Sequence, residues 1–567
     1  MKKIHLATSI AVCLLSFNIN AAETKFYGNQ IIVKFKNSGK SRIMNADTMQ
    51  ALSTTAQSKL VFKRTTGGGA KVLFLDEASS PQAMEKMVTR LNQRSDIEYA
   101  EIDYKRYPAA FPADAPDDPF FTAGEQWYLQ NNSADSDRGA INAEAVWPQL
   151  TGSGVTIAVV DTGITQHPDL NISGNIIPGY DFIGLDPDGS ASTDGDGDAT
   201  KGRDNDPRDT GDLVTSLDKD DIPTFKNEAS CNASLSGRSS WHGTLVSGIL
   251  GARTDNGMGI AGIAPNATIL ISRALGKCGG YNSDIMDAAR WSAGLAVNGV
   301  PANSNPAKIV NLSLGGSGAC TTTEQDAINA ITAAGTVVVV AAGNDDSDSV
   351  SSAPGNCTNT INVGATTRRG GKTTYTNVGE EVDLSAPGGS SSSANGPINT
   401  IITTIQNKTI GLVTDNSTAT YATVQGTSFS APLVSGVIAM MLEKEPLLTP
   451  QQIYGTLLAN ATPFPTGTAN TQGGDADRDC TSTSCGTGIL NAKMVFDALD
   501  SNNIVTRNFP VKEPRAAANT DDTAASPPAE STGGGGGGGA TAFAYLILIS
   551  LLGFSKSKTY KIKKPLS

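Results

Sequence analysis

Three short stretches hold side chains that together could perform acyl transfer: Val159-Val160-Asp161-Thr162-Gly163, Trp241-His242-Gly243-Thr244 and Gly426-Thr427-Ser428-Phe429-Ser430-Ala431-Pro432. In chain order they offer an acid, a base and a nucleophile. A hydroxyl such as that of Ser428 is a poor nucleophile until a neighbouring base takes its proton. An imidazole serves as that base when a third group fixes its tautomer and orientation. The chain has three histidines, and His5 lies in the N-terminal segment, which leaves His167 and His242. His167 precedes Pro168, which favours extended geometry and hence a turn; it reads as a structural residue.

Those side chains need a scaffold. Continuous apolar runs at Val155–Val160, Thr268–Ser272, Ile309–Leu314, Val337–Ala342 and Ile361–Val363 read as strands buried on both faces. Helical patterns lie between them at Gly243–Ala252, Ser283–Ala296 and Thr323–Ala334, and another follows at Leu433–Leu442, with Pro432 in its first turn. Repeated β-α-β implies an α/β fold, a doubly wound and mostly parallel sheet. Asp161 and Asn344 then fall at the carboxyl ends of strands, where such sheets bind ligands. Ser428 falls at a helix N-terminus, whose partial positive charge favours a developing negative one.

The three motifs, in this order, resemble the subtilisin family of serine proteases, and the similarity runs from about Trp127 to about Leu499. Phe429 stands where that family most often has Met. The resemblance implies a peptide-bond hydrolase working through an acyl-enzyme, with Ser428 as nucleophile, His242 as base and Asp161 as its orienting acid. Asn344 would donate its side-chain amide to the oxyanion, beside the backbone N–H of Ser428. Ser313, Leu314 and Gly315 would pair with a peptide substrate and form one wall of the S1 pocket. Ala341, Ala342 and Gly343 would form the other wall, with Ser352 at the floor. The small residues imply a roomy, mostly apolar slot without preference for Arg or Lys. Two other classes remain open: a catalytically silent calcium-binding surface module of the same fold, and an esterase. The usual Gly-x-Ser-x-Gly elbow of the latter is absent at Ser428.

Acidic clusters point to a structural Ca²⁺. Asp194, Asp196 and Asp198 alternate with Gly, and Asp204, Asp206, Asp209 and Asp212 follow. Hard cations need several oxygens on a tight loop. Ala199 and Asn205 stand where an EF-hand needs Gly and Glu, so another geometry is expected. Asp169 is a further candidate by resemblance, with the loop near Asn256. The run from Gly257 to Gly262 matches a dinucleotide fingerprint formally, but it does not follow a strand and is set aside.

The 567 residues carry a net charge of −12, which argues against nucleic acid as a partner. Residues 1–22 read as a secretory signal: Lys2 and Lys3, an apolar stretch, then Ile19-Asn20-Ala21. Its removal also removes Cys13 and leaves six cysteines, an even number that suggests three disulfides in an exported protein. Of the 15 possible pairings, Cys231–Cys278, Cys320–Cys357 and Cys480–Cys485 are expected. Residues 23–110 show a β-α-β-α-β outline: strands at Gln30–Phe35, Lys71–Leu75 and Ile97–Tyr107, helices at Thr48–Leu60 and Gln82–Leu91. This unit resembles the ferredoxin-like propeptide that serves subtilisins as chaperone and inhibitor. Pro108, Pro112 and Pro116 mark an exposed, cleavable stretch before a catalytic domain at 111–500.

Residues 501–532 read as a disordered linker. Residues 533–567 combine a run of seven glycines, an apolar run and five lysines. That tail resembles the GlyGly-CTERM sorting signal of Gram-negative bacteria, which implies a rhomboid-type sorting protease, besides signal peptidase, as a partner. The alternative is a permanent membrane anchor, for which a 15-residue run from Ala540 to Phe554 is short against the ~20 residues a span needs. The expected product is a monomer, secreted or surface-displayed by way of the periplasm.

Overall fold

A computed structural model of the chain describes residues 27–36, 44–65, 70–75, 81–104, 115–131, 137–172, 174–184, 202–213, 239–277, 279–390, 400–407, 413, 415–465 and 480–512. The chain divides into two compact units between residues 109 and 110. The secretory signal, the proline-rich stretch around 108–112, the residues from 513 onward, Cys231, Cys278, Asp194, Asp196 and Asp198 lie outside the described residues.

In the first unit, β1 (Tyr27–Phe35), α1 (Ala46–Ala56), β2 (Leu60–Thr65), β3 (Lys71–Leu75), α2 (Pro81–Asn92) and β4 (Ile97–Tyr104) follow one another. Every pairing in the sheet β2-β3-β1-β4 is antiparallel, which is the ferredoxin-like β-α-β-β-α-β arrangement. The expected helix over Thr48–Leu60 stops at Ala56, because Gln57 turns left-handed and returns its N–H to the last helical turn. The residues beyond it form β2, an element not read from the sequence. Ile31, Val33, Leu52, Leu73, Met84 and Leu91 close the core of this unit.

The second unit is built on seven parallel strands. In chain order these are β5 (Thr156–Asp161), β6 (Ile176–Asp181), β7 (Thr268–Arg273), β8 (Ile309–Leu312), β10 (Val337–Ala341), β12 (Thr360–Thr366) and β13 (Leu384–Pro387). They are ordered β13-β12-β10-β8-β5-β7-β6. Two short strands, β9 (Gly316–Ser317) and β11 (Ser352–Ala353), pair with each other, as do β14 (Ile401–Gln406) and β15 (Ala419–Val424). The helices are α3 (Pro119–Thr122), α4 (His242–Gly251), α5 (Asn282–Ser292), α6 (Thr322–Ala333), α7 (Thr427–Lys444), α8 (Pro450–Ala459) and α9 (Ala492–Asp500).

Alternation along each strand sends side chains to opposite faces. Ile157 and Val159 join a core with Val246 and Ile249 of α4 and Val434 and Val437 of α7. Ala158 and Val160 join another with Met286 of α5 and Ile328 and Ile331 of α6. Each large aliphatic side chain buried this way contributes about 1.5–3 kcal/mol. The apolar runs read as strands are β5, β7, β8, β10 and β12, so the doubly wound parallel sheet is present as expected.

Three elements differ from the reading of the sequence. The edge strand β6 contains Pro178 and Gly179, which break a strand pattern in sequence but are tolerated at a sheet edge. Helix α7 starts at Thr427, so Pro432 sits inside the helix rather than in its first turn. Residues 501–512 do not begin a linker: Phe509 stacks on Tyr454 with ring centroids 4.4 Å apart, and Lys512 is 7% exposed. The folded domain therefore extends to Lys512. Two of the expected disulfides, Cys320–Cys357 and Cys480–Cys485, are present.

Candidate active site

Asp161 is the last residue of β5 and is 1% exposed. The Nδ1 of His242, the first residue of α4, lies 2.9 Å from each of its carboxylate oxygens. Oδ1 also accepts the Thr162 N–H at 2.7 Å. Nδ1 facing a carboxylate must carry the proton, which leaves Nε2 as the basic nitrogen. The imidazole packs against the Phe429 ring, with centroids 5.8 Å apart, at the first turn of α7, which also carries Ser428. Gly243 is required for this approach: a Cβ there would fall 2.1 Å from the Gly163 carbonyl oxygen. The glycine brings α4 against the Asp161 loop rather than merely easing a turn.

A second layer holds these groups. The Thr162 hydroxyl donates to Asp209 at 2.6 Å and accepts the Gly243 N–H at 2.9 Å. Asp212 accepts the N–H and hydroxyl of Ser240, and the Ser240 oxygen accepts the His242 N–H. Burial alone would lower the pKa of His242. Contact with Asp161 outweighs it, Asp212 and Asp209 add to that, and the value lies above the ordinary imidazole value. Asp209 is pushed up to about 7, first by burial and then by Asp212.

Ser428 is the second residue of α7, so its N–H is among the four that have no acceptor within a helix. Pro432 lacks the N–H that would reach the Ser428 carbonyl four residues back. The Ser313 hydroxyl fills that gap, donating to the Ser428 oxygen at 2.7 Å. Ser313, expected on a substrate wall, thus turns its side chain to the nucleophile's backbone. Asn344 follows β10; its Oδ1 accepts the N–H and hydroxyl of Thr427 at 2.9 and 3.0 Å. That fixes the amide with Nδ2 on the side away from Thr427.

β8 and β10 are paired neighbours, so Ser313–Gly315 and Ala341–Gly343 leave the sheet side by side. A Cβ at Gly315 would lie 3.0 Å from the Ala353 oxygen, 3.8 Å from Ser352 Oγ and 3.9 Å from the Ala341 oxygen. Both expected walls and Ser352 therefore border one space, while Leu314 points into the core with Val340 and Cys357. His167 is the structural residue expected: burial lowers its pKa to about 4, Nδ1 accepts the Asp169 N–H and Nε2 donates to the Thr420 oxygen.

Among the described residues, the expected calcium ligands do not form a cluster. Asp206 is engaged by Arg208 and Asp209 by Thr162 and Gly211. Asp204 accepts the Asp206 N–H. Both oxygens of Asp169 are filled, one by Asn256 Nδ2, the other by the Ile260 N–H and the Tyr421 hydroxyl. These carboxylates are spent on the protein's own donors, which a linear reading cannot foresee. Among the described residues, Asp117, Asp118 and Asp255 bring carboxylate oxygens within 4.8 Å of one another instead. One oxygen of each accepts a backbone N–H. Asp118 Oδ1 and Asp255 Oδ2 are buried without a protein partner. Burial pushes the Asp118 carboxyl up to about 6. Hard acceptors left bare at such a cluster suit an oxygen-seeking cation. The other grouping, Cys320 and Cys357 with Glu324, is consumed by a disulfide.

With this geometry in place, comparison with known proteins settles the class. The model of the subtilase family matches residues 152–488. The chain belongs to the subtilase family of serine proteases. It is 36% identical over 481 residues to an extracellular basic protease of Dichelobacter nodosus, covering 84% of this chain and 70% of the relative. An extracellular protease of Xanthomonas campestris is 38% identical over 432 residues, covering 76% of this chain and 64% of the relative. A solved structure of a protease from Pseudoalteromonas arctica is similar with a TM-score of 0.56 and 40% identity, over 68% of this chain and 99% of that one. Among the described residues no helix is long and apolar enough to cross a membrane.

Proposed function

We propose that this chain is a secreted endopeptidase that hydrolyses peptide bonds through an acyl-enzyme on Ser428. The observation that carries the reading is the His242 imidazole, held by both oxygens of Asp161 at 2.9 Å and packed at the helix turn that bears Ser428. His242 takes the Ser428 proton as the hydroxyl attacks the carbonyl. Asp161 stabilises the imidazolium, which then protonates the leaving amine; water repeats the cycle. Asn344 Nδ2 and the Ser428 N–H receive the oxyanion. Since no member of this set is missing, the silent module of the same fold is not favoured.

The unit at residues 23–110 acts as an inhibitory propeptide, removed by the enzyme itself. The tail at 533–567 directs sorting through the periplasm of a Gram-negative cell, and the mature enzyme works as a monomer on proteins or peptides. These assignments rest on family resemblance. Intact mass spectrometry of the exported protein, with and without a sulfonyl fluoride, tests them together. One adduct on Ser428 and termini near residues 110 and 532 are expected. A folded, processed protein without the adduct would return the silent module to the front.

Asp117, Asp118 and Asp255 hold the structural Ca²⁺. Removing the ion with a chelator lowers the melting temperature, and Asp118→Asn abolishes the difference. A site held at 100 times its dissociation constant contributes about 2.7 kcal/mol. Thermal melts with and without Ca²⁺ measure it.

A further inference from the structure

The floor of the candidate S1 space is a short segment, Ser352 to Thr360, held from several sides. β9–β11 pairing, the Cys320–Cys357 disulfide and the Asn356 amide on the Gly318 oxygen tie it to the wall segment that follows Gly315. Those links join wall and floor to each other. The body of the domain holds the segment through Gln325 of α6, which meets the Thr358 oxygen and N–H at 3.0 and 2.9 Å, through the buried Cys357, and, next to the floor itself, through the Gly355 carbonyl. That oxygen accepts the Thr360 hydroxyl at 3.0 Å and the Lys512 ammonium at 3.1 Å.

Lys512 comes from the far end of the folded chain. Its Nζ also meets Asp383 at 2.9 Å and the Thr360 hydroxyl oxygen at 3.2 Å. The side chains of Lys512 and Asp383 are 3% and 2% exposed. Asp383 is further held by the Tyr454 hydroxyl and the Asn362 N–H. An ammonium is buried only where charge and hydrogen bonds compensate it, and such a group has sharp positional preferences. The segment delivering it is anchored by Phe509 on Tyr454 and by the Val505 N–H on the Thr456 hydroxyl.

We propose that Lys512 is a specificity-positioning residue: through Gly355 it fixes the S1 floor, so that selection of the substrate's P1 side chain depends on the C-terminal strap at residues 501–512. This rests on the protease reading above. A pocket whose floor yields loses most with side chains that fill it, and least with small ones.

The test uses the exported full chain, wild type, Lys512→Met and the pair Lys512→Met with Asp383→Asn. The pair removes both buried charges together, so it folds even where an uncompensated Asp383 does not. Active sites are counted with a sulfonyl fluoride. Then kcat and KM are measured on peptide anilides that differ only in Ala, Leu or Phe at P1. The expected result is a fall of about tenfold or more in the ratio of kcat/KM for Phe over Ala. The fall is carried by KM, with kcat for Ala nearly unchanged. A ratio unchanged in both variants, whatever their melting temperatures, overturns this inference alone. A wild type that neither labels nor cleaves overturns the protease reading and this one with it.

Discussion

Replacing Ser428 by Ala lowers kcat on a peptide substrate by about 10⁶, the size known for the nucleophile in subtilisin itself. The change removes one oxygen. Its carbonyl bond from Ser313 at 2.7 Å and the packing of α7 are untouched, so the folded protein persists and only chemistry is lost. Residual turnover stays about 10³–10⁴ above water, because oxyanion donors and substrate binding survive. Single-turnover assays of active-site-titrated wild type against purified variant measure both figures. A loss of only a few fold would mean that Ser428 is not the nucleophile.

Asp161→Asn is expected to lower kcat by about 10⁴. Both oxygens of Asp161 face Nδ1 of His242, and one also accepts the Thr162 N–H. In the variant the Thr162 donor keeps the amide oxygen on its side, and the amide NH₂ faces Nδ1. The imidazole then protonates Nε2, the nitrogen that must accept the serine proton. The pH profile gives a second readout. Catalysis needs neutral His242, so kcat/KM falls as pH drops through its pKa. In the wild type that limb lies higher than for an ordinary imidazole, because Asp161 outweighs burial. Without the carboxylate charge, burial dominates and the limb moves to lower pH. A limb that moved upward would contradict the assigned contact.

The layout of the sheet was largely legible. β5, β7, β8, β10 and β12 lie where continuous Val, Ile and Ala runs stand, because strands covered on both faces admit little else. β6 was not, since Pro178 and Gly179 interrupt it and an edge position forgives both. The start of helix α7 was read six residues late, because Pro432 looks like a helix start. In the fold it lies mid-helix, and Ser313 satisfies the carbonyl that the proline leaves free.

The sequence by itself determined which residue types stand after which strands and helices: Asp161 after β5, His242 at the head of α4, Ser428 at the head of α7, Asn344 after β10. Local periodicity and short motifs carry that information. Tertiary structure alone decided what each carboxylate and cation meets. It put Asp209 behind Thr162, filled Asp169 with three protein donors, and joined Asp118 to Asp255 across 137 positions of chain. It also seated Lys512 beneath Gly355, 157 positions away. Hydrogen bonds and charge pairing depend on distances of a few ångströms in space, and separation along the chain does not encode them.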